Sequence, residues 1–276
     1  ANPSLGRIIR DGHYFVRGKP LHKTEFARDP EHPRRSSQVL RLLQLPENFQ
    51  MRLANGDRSL VAGTIMVGQA ETSADIQSWT TVCDEKTLRV GGSEFFNALL
   101  DGEILAHSNG IAAPPDTAGC ELFVCGTSTQ SSRKFVAAAR RRKTPVFSLP
   151  RELMWGAEFK SPAIAAVTER VVAAFGKNPR VILMVGLPPV RDVAVARRLA
   201  QHLVQIAARV LDRVPVARIF AEGGATAAEL VRTMGWARLL VTRELAPGVV
   251  TLITGKEDAV LLTIKPGTYA WPARWT

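Results

Sequence analysis

The sequence predicts an α/β fold in two domains, with a largely parallel sheet flanked by helices in the second domain. Short buried runs alternate with amphipathic helical patterns over residues 119–276, as a parallel sheet with crossover helices requires. Residues 1–118 lack this alternation. Between them, SNGIAAPPDTAG (108–119) is rich in Pro, Gly and small polar residues, which is typical of a linker. We therefore expect a domain boundary near residue 118.

Short strands and helices broken by turns are expected in the first domain. Residues 6–26 hold alternating apolar stretches between Gly and Pro, which indicates strands joined by hairpin-like loops. The other expected elements are a loop over 29–37, a short capped helix over 36–45, a buried strand over 59–67, a helix with a Ser/Thr cap over 72–83, and a glycine turn that opens a helix over 91–104.

Strands and helices are expected to alternate in the second domain. Ser161 and Pro162 are typical of a helix start, and Gly176 and Gly235 of helix ends. The expected strands cover 120–126, 144–149, 180–186 and 216–222; the expected helices cover 129–143, 161–176, 191–213 and 226–235; three more short strands lie within 237–245, 248–255 and 259–267.

Composition limits the class of protein. The chain has 276 residues, 46% hydrophobic and 22% charged, which is the composition of a globular protein with a core. No apolar run approaches the roughly 18–20 residues that span a bilayer, so no membrane partner is expected. Three scattered cysteines (Cys83, Cys120, Cys125) argue against a disulfide framework and predict a cytoplasmic location. The five histidines form no ligand cluster, and we predict no metal-ligating residue.

A net charge of +11 favours an anionic partner, either nucleic acid or a phosphorylated small molecule. The densest basic run, Arg140 to Lys143, ends a predicted helix, where cations complement the helix dipole. Zinc-finger spacing and RNA-binding aromatic signatures are absent, which disfavours nucleic acid. The sequence also lacks G-x-x-x-x-G-K-[ST], and it lacks G-x-G-x-x-G between a strand and a helix, which argues against a P-loop ATPase and a regular Rossmann dehydrogenase.

Two predicted strand-to-helix turns combine glycine with hydroxyl side chains. Gly126-Thr127-Ser128-Thr129 follows one buried strand, and Glu222-Gly223-Gly224-Ala225-Thr226 follows another. Ligands of open α/β sheets lie beyond the carboxyl ends of the strands, and free N–H groups at helix N-termini attract anions. Two adjacent glycines let such a ligand approach the backbone closely. Two alternatives stay open: helix capping by the hydroxyls of the first turn, and tight helix–sheet packing at the glycine pair.

A third glycine follows the last predicted strand. Gly267 lies in IKPGTYAWP (264–272), which by itself indicates a Pro-Gly turn. Lys265 beside it either meets a phosphate or is solvated.

Five stretches, in order, carry a family resemblance. Together they resemble the four-carbon acid sugar kinase family, which includes threonate and erythronate kinases, from about residue 3 to residue 270. The stretches are GRIIRDGHYFVRGKPLHKTEFARDPEHPRRSS (6–37), GTSTQSSRKF (126–135), EGGATAAELVRTMGW (222–236), RELAPGV (243–249) and IKPGTY (264–269).

The resemblance implies a partial substrate-binding domain over residues 1–118 and a nucleotide-binding domain over 119–276. It implies phosphoryl transfer from ATP, with Mg²⁺, to a terminal hydroxyl of a four-carbon sugar acid. The family binds ATP through a G-S-x-S turn, a T-G-G-D-T-A turn and a glycine near the C-terminus. The matching residues are Gly126, Thr127 and Thr129; Glu222, Gly223, Gly224, Ala225 and Thr226; and Gly267.

Three departures from the family pattern bear on activity. The D-D-x-T-G-A-like turn that begins the family is not found, so the chain is expected to begin inside the N-terminal domain and no catalytic residue is assigned. Ala225 replaces the acidic residue of the second turn, and Glu222 stands where the family often has Thr. Thr127 and Thr129 replace serines and keep the hydroxyls. A non-catalytic nucleotide-binding module is therefore the alternative function, and a homo-oligomer stays open.

Overall fold

A computed structural model describes residues 1–29, 32–46, 48–54, 56–82, 84–101, 119–155, 161–188, 190, 192–255 and 260–272. The chain divides into two compact units, Ala1–Asn109 and Gly110–Thr276. Apart from Gly119, the predicted linker lies outside the described residues. Within these ranges, each helix is too short or too polar to cross a membrane.

In its described part, the first unit holds two small sheets, three α-helices and three short 3-10 helices (Pro3–Leu5, Leu21–Lys23 and Glu25–Arg28). One sheet is an antiparallel three-stranded meander, and the other is a parallel pair of strands. The strands are β1 (Arg7–Arg10), β2 (His13–Val16), β3 (Lys19–Pro20), β4 (Gln50–Leu53) and β5 (Thr64–Val67), and the helices are α1 (Val39–Leu43), α2 (Ser73–Thr80) and α3 (Ser93–Asp101).

Two predictions for this unit need correction. The helix expected over 36–45 is the short α1, and its N-cap residue, Gln38, provides no side-chain cap. The hydroxyl of Ser36 instead accepts a hydrogen bond from the backbone N–H of Gln38, which is a local turn ahead of the helix. The strand expected over 59–67 is confined to β5, and its partner β4 was not predicted. The predicted cap of α2 is confirmed, because Thr72 and Asp75 form a reciprocal capping box.

The second unit is an α/β layer with a largely parallel sheet, as predicted, and its described residues form seven strands. The strand order is β10-β11-β12-β9-β6-β8-β7. The five strands from β12 to β7 are parallel, and β10 and β11 add antiparallel at one edge. The strands are β6 (Cys120–Cys125), β7 (Val146–Ser148), β8 (Arg180–Met184), β9 (Val216–Glu222), β10 (Leu239–Ala246), β11 (Val249–Thr254) and β12 (Leu261–Lys265); the helices are α4 (Gln130–Arg141), α5 (Pro162–Phe175), α6 (Val193–Leu211) and α7 (Gly224–Thr233).

Alternate residues of the central strands supply two buried layers. On one face, Leu122, Ile219 and Leu262 join an apolar cluster with residues of α5, α6 and α7. On the other face, Phe123 stacks on Phe220 at a centroid distance of 4.2 Å, and α4 and the C-terminal segment cover them. Helices therefore cover both faces of the sheet. The turns after β6, β9 and β12 lie side by side at the carboxyl ends of these parallel strands.

Candidate functional site

The three predicted turns are neighbours in the structure, because β6, β9 and β12 are adjacent parallel strands. A Cβ atom added to Gly126 would overlap the hydroxyl of Thr226. One added to Gly267 would lie 3.1 Å from Oγ1 of Thr127. Residues predicted from three separate stretches are therefore packed against one another.

Hydrogen bonds join the three turns directly. The N–H of Gly126 donates to the carbonyl of Glu222 at 3.2 Å, and the N–H of Gly223 donates to the carbonyl of Lys265 at 2.9 Å. The carbonyl of Gly267 accepts a hydrogen bond from Oγ1 of Thr129 at 2.7 Å. The backbone conformation of each turn is therefore coupled to the other two.

The glycine pair begins helix α7. Gly223 is the N-cap residue with φ +101°, in a region that L-residues with side chains rarely adopt, and it gives no side-chain cap. A Cβ atom added to Gly224 would meet nothing within 4 Å. Tight packing therefore explains Gly126 but not Gly224, and the surface above Gly224 is open.

The N-terminus of α7 has donors to spare. Gly224 and Ala225 are exposed, and within the described residues their N–H groups have no hydrogen-bond acceptor. The first N–H groups of a helix lack intrahelical acceptors, and the helix dipole places partial positive charge there. This end of α7 is therefore suited to an anion such as a phosphate.

The hydroxyls of the first turn are already engaged. Thr129 is the N-cap of α4, where its side chain accepts a hydrogen bond from the N–H of Ser132 and donates to the carbonyl of Gly267. Thr127 accepts a long hydrogen bond, 3.4 Å, from the N–H of Thr129. The capping alternative is confirmed for Thr129, and ligand contact by either threonine stays a prediction.

A buried ion pair lies beneath the turns. Cys125, Glu222 and Lys265 are register partners at the ends of β6, β9 and β12, so their side chains share one face of the sheet. Lys265 and Glu222 are both 0% exposed, and Nζ lies 3.3 Å from Oε1. The second carboxylate oxygen, Oε2, accepts a hydrogen bond from the indole N–H of Trp271 at 3.2 Å.

Burial sets the acid–base behaviour of this pair. It raises the pKa of Glu222, and the Lys265 ammonium acts in the opposite direction. Burial and the nearby Glu222 charge raise the pKa of the Cys125 thiol well above its ordinary value. Cys125 is therefore a neutral thiol inside the protein.

The solvated alternative for Lys265 is wrong, because its side chain is 0% exposed. Contact with a phosphate stays a prediction, and in this structure the ammonium faces backbone carbonyls. It donates to the carbonyls of Tyr269 at 2.7 Å and Pro266 at 3.0 Å, and it lies 3.5 Å from that of Gly267. The side chain of Glu222 is also fully buried, so in this structure it packs beneath the turn that follows β9.

Two further residues at the site were not predicted. Trp271 packs edge-on against Phe123 and Phe220, and Ser131 donates a hydrogen bond to the carbonyl of Gly267 at 3.1 Å. The alternation of β9 contains a signal for this layer, since Phe220 and Glu222 are two positions apart. Two-residue spacing places them on the same face of the strand.

Metal ligands are sparse around these turns. Ala225 stands at the acidic position of the family's second turn, and the carboxylate of Glu222 is buried in its ion pair. Across the described ranges, no group of three or more His, Cys, Asp and Glu side chains is placed to hold a metal ion. These residues do not form a resident magnesium site.

Comparison with protein families decides the relationship. A model of a sugar-binding N-terminal domain matches residues 1–99, and one of a nucleotide-binding C-terminal domain matches residues 122–269. The second match alone covers more than half of the chain. The chain belongs to the four-carbon acid sugar kinase family. Within this family, the nucleotide-binding match spans all the residues of the three turns.

Curated relatives in the four-carbon acid sugar kinase family are distant. A 3-oxo-tetronate kinase from Methylobacterium radiotolerans is 25% identical, over 98% of this chain and 69% of that protein. A 3-oxo-tetronate kinase from Pseudomonas fluorescens is 24% identical, over 98% of this chain and 67% of that protein.

Two solved structures support the fold. A protein from Salmonella typhimurium LT2, whose description proposes a tRNA synthase, aligns with a TM-score of 0.70 and 17% identity over 100% of this chain and 70% of that chain. Haemophilus influenzae protein HI1011 aligns with a TM-score of 0.57 and 21% identity over 98% of this chain and 70% of that chain. At these identities the comparison establishes the fold alone.

Proposed function

We propose that this protein is an ATP-dependent kinase that phosphorylates a terminal hydroxyl of a four-carbon sugar acid. In this reaction the bond between the γ-phosphorus and the β–γ bridging oxygen breaks. A new bond forms from phosphorus to the substrate hydroxyl oxygen, ADP leaves, and the hydroxyl proton is released. Membership of the four-carbon acid sugar kinase family supports this reaction class.

The observation that carries the proposal is the open, uncapped N-terminus of α7 beside two other glycine turns. The N–H groups of Gly224 and Ala225 have no acceptor among the described residues, and the space over Gly224 is clear. Phosphoryl-transfer enzymes depend on donors that hold the phosphates and stabilise the charge that develops on them. These amides would bind and orient the phosphates of ATP.

We propose that Mg²⁺ arrives as part of the Mg-ATP complex. The phosphate oxygens would hold the ion, since the turns provide no carboxylate cluster for it. When bound, Mg²⁺ neutralises charge on the phosphates.

The roles of Gly126, Thr127, Gly223 and Gly267 are to bring the three backbone turns close enough to meet one nucleotide.

The names of the relatives suggest the first acceptor to test. The curated relatives named above are both 3-oxo-tetronate kinases. We therefore propose 3-oxo-tetronate as the first candidate, with threonate and erythronate as the matched acids that lack the oxo group. The sugar-binding match over residues 1–99 supports a role for the first domain in holding this acid.

Two measurements on the full chain test the proposal in sequence. The first is the thermal stability of the protein with Mg-ATP and with Mg-ADP, against Mg²⁺ alone and Mg²⁺ with inorganic phosphate. A nucleotide at about 100 times its Kd adds about 2.7 kcal/mol to the free energy of unfolding. The second is ADP release with each of the three acids.

Stabilisation by nucleotide together with acid-dependent ADP release is the expected result. Stabilisation without ADP release for any acid would favour the non-catalytic nucleotide-binding module. No response to either nucleotide would overturn the proposed function, and a response to phosphate equal to that to ATP would reduce the site to a general anion site.

A further inference from the structure

The ammonium of Lys265 has an unusual set of acceptors for a wholly buried lysine. Besides Glu222, it meets the carbonyl oxygens of Pro266, Gly267 and Tyr269, all within the loop that follows β12. Nζ also lies 5.3 Å from the ring centre of Trp271. One cation therefore draws several backbone carbonyls of a short loop toward the protein interior.

Turning the carbonyls inward turns amides outward. The described residues contain no cis peptide bond, and in a planar trans peptide the C=O and N–H groups point in opposite directions. The carbonyl of Pro266 faces Nζ at 3.0 Å, so the N–H group of Gly267 in the same peptide faces away from Nζ. This N–H group lies in the loop that contacts Thr127 and Thr129 through Gly267.

Glu222, the carboxylate partner of Lys265, lies next to the other two turns. Glu222 precedes Gly223 directly, and its own carbonyl accepts from the N–H of Gly126. Its side chain connects Lys265 with the indole N–H of Trp271. The pair thus lies where the backbones of all three turns are hydrogen-bonded to one another.

We propose that Glu222 and Lys265 are positioning residues for the nucleotide: as a buried pair, they orient the loop after β12 so that the N–H of Gly267 and the N-terminus of α7 face the same phosphates. This inference rests on the proposed function and extends it to residues that do not touch the ligand.

Stability alone is a poor explanation for this pair. Burying two charges costs desolvation energy that offsets much of their attraction, and apolar replacements of similar volume are often neutral or stabilising. Leucine or methionine side chains would fill a similar volume between the strand ends without this cost. They would not supply the donor that Lys265 provides to the carbonyls of Pro266 and Tyr269.

The test is the double variant Glu222→Gln/Lys265→Met in the full chain. Both charges are removed together, so neither is left buried without its partner, and Gln keeps an acceptor for Trp271. We expect a folded protein whose Kd for Mg-ADP, measured by titration calorimetry, rises at least about tenfold, because the loop loses the donor that orients its carbonyls.

A matched control separates positioning from general destabilisation. Val171→Ala removes buried apolar atoms from α5, in the cluster on the opposite face of the sheet. Urea unfolding ranks the two variants by stability. We expect Val171→Ala to keep the wild-type Kd even where its loss of stability equals or exceeds that of the double variant.

The indole N–H of Trp271 gives a second readout that does not depend on turnover. Its NMR signal, assigned with Trp271→Phe, reports on the hydrogen bond to Glu222. We expect Mg-ADP to shift this signal in the wild type and to leave it unchanged in the double variant.

The outcomes distinguish the two proposals. A wild-type protein that binds no Mg-ADP overturns the proposed function and this inference with it. Wild-type binding with an unchanged Kd in the double variant overturns the inference alone. So does an equal rise of Kd in Val171→Ala, because the effect would then follow stability. If the double variant does not fold, the Trp271 signal of the wild type decides: no shift with Mg-ADP overturns the inference.

Discussion

The glycines at the candidate site meet different physical requirements. Gly126 lacks a side chain because Thr226 occupies that space, and Gly223 adopts a positive φ that a side chain would strain. Gly224 has neither constraint, since its φ is helical and a Cβ atom would meet only open space. A glycine at a helix start with no structural need for one is a candidate for ligand contact.

We predict that Gly224→Phe prevents nucleotide binding without disturbing the fold. The ring would occupy the space over the N–H groups of α7, so the Kd for Mg-ADP should rise at least about 100-fold, which corresponds to about 2.8 kcal/mol. The free energy of unfolding should change by about 0.5 kcal/mol or less, as for other surface substitutions. Calorimetry and urea unfolding measure the two quantities.

Gly255→Phe is the matched control for this variant. Gly255 is exposed, and it is not among the glycines with a positive φ. It follows β11, which is antiparallel to β12, so it lies at the end of the sheet opposite the three turns. The control should bind nucleotide like the wild type. Unchanged affinity in Gly224→Phe would remove Gly224 from the site.

The positions of the three turns at the ends of strands could be predicted because glycine and threonine have strong local preferences at strand ends and helix starts; that their residues bind a nucleotide stays a prediction. Lys265 could not be assigned in this way. Its burial depends on which strands are neighbours and in what register, since only the pairing of β12 with β9 places it beside Glu222. A lysine next to a turn otherwise has every local reason to be solvated.

At the scale of elements, the end of a helix could be predicted from the sequence where a side chain caps it. Ser161 caps α5 as predicted, and Pro162 takes the first helical position. The start of α7 was predicted two residues late, because Gly223 and Gly224 have low helix propensity and this helix begins without a cap. Strand β4 was missed since it is short and only half-buried.

The cap of α6 gives a prediction at this scale. Asp192 accepts hydrogen bonds from the N–H groups of Ala194 at 2.8 Å and Val195 at 3.2 Å. Asp192→Ala leaves both donors to solvent and should lower the free energy of unfolding by about 1 kcal/mol in urea unfolding. Asp192→Asn keeps an acceptor and should lose less. Equal losses in the two variants would contradict a capping role for the side chain.

At the scale of the whole molecule, alternation along the chain was enough to predict an α/β layer, and the order of strands in the sheet was not. The last strand, β12, lies between β9 and β11, and β6 pairs with β9 across most of the second unit. Such pairings depend on the packing of complete helices against the sheet. The roles of the two domains likewise stay predictions from the family resemblance.

The pH dependence of stability is a whole-molecule prediction that involves His202. This side chain lies within α6 and is 1% exposed; burial and, second, Arg198 lower its pKa. In the unfolded chain, the imidazole of His202 takes up a proton near pH 6.5. In the folded protein, the same imidazole remains neutral to a lower pH. The contribution of His202 to the free energy of unfolding is therefore complete above about pH 6.5 and is lost as the pH falls below this value.

We expect the free energy of unfolding to fall more steeply below about pH 6.5 in the wild type than in His202→Leu, by up to about 1.4 kcal/mol per pH unit. Urea unfolding between about pH 7.5 and 5.5 measures the slopes. Leu199→Met, in the same helix, has no titrating change and should keep the wild-type slope. Identical slopes in wild type and His202→Leu would mean that burial does not lower the pKa.

The position of β12 between β9 and β11 has a consequence for synthesis on the ribosome. Until the residues of β12 have been synthesised, β9 has β6 as its neighbour on one side and an open edge on the other. Glu222 then has a carboxylate facing the future core without its lysine. Synthesis of β12 therefore closes this open edge and brings Lys265 to the Glu222 carboxylate in the same step.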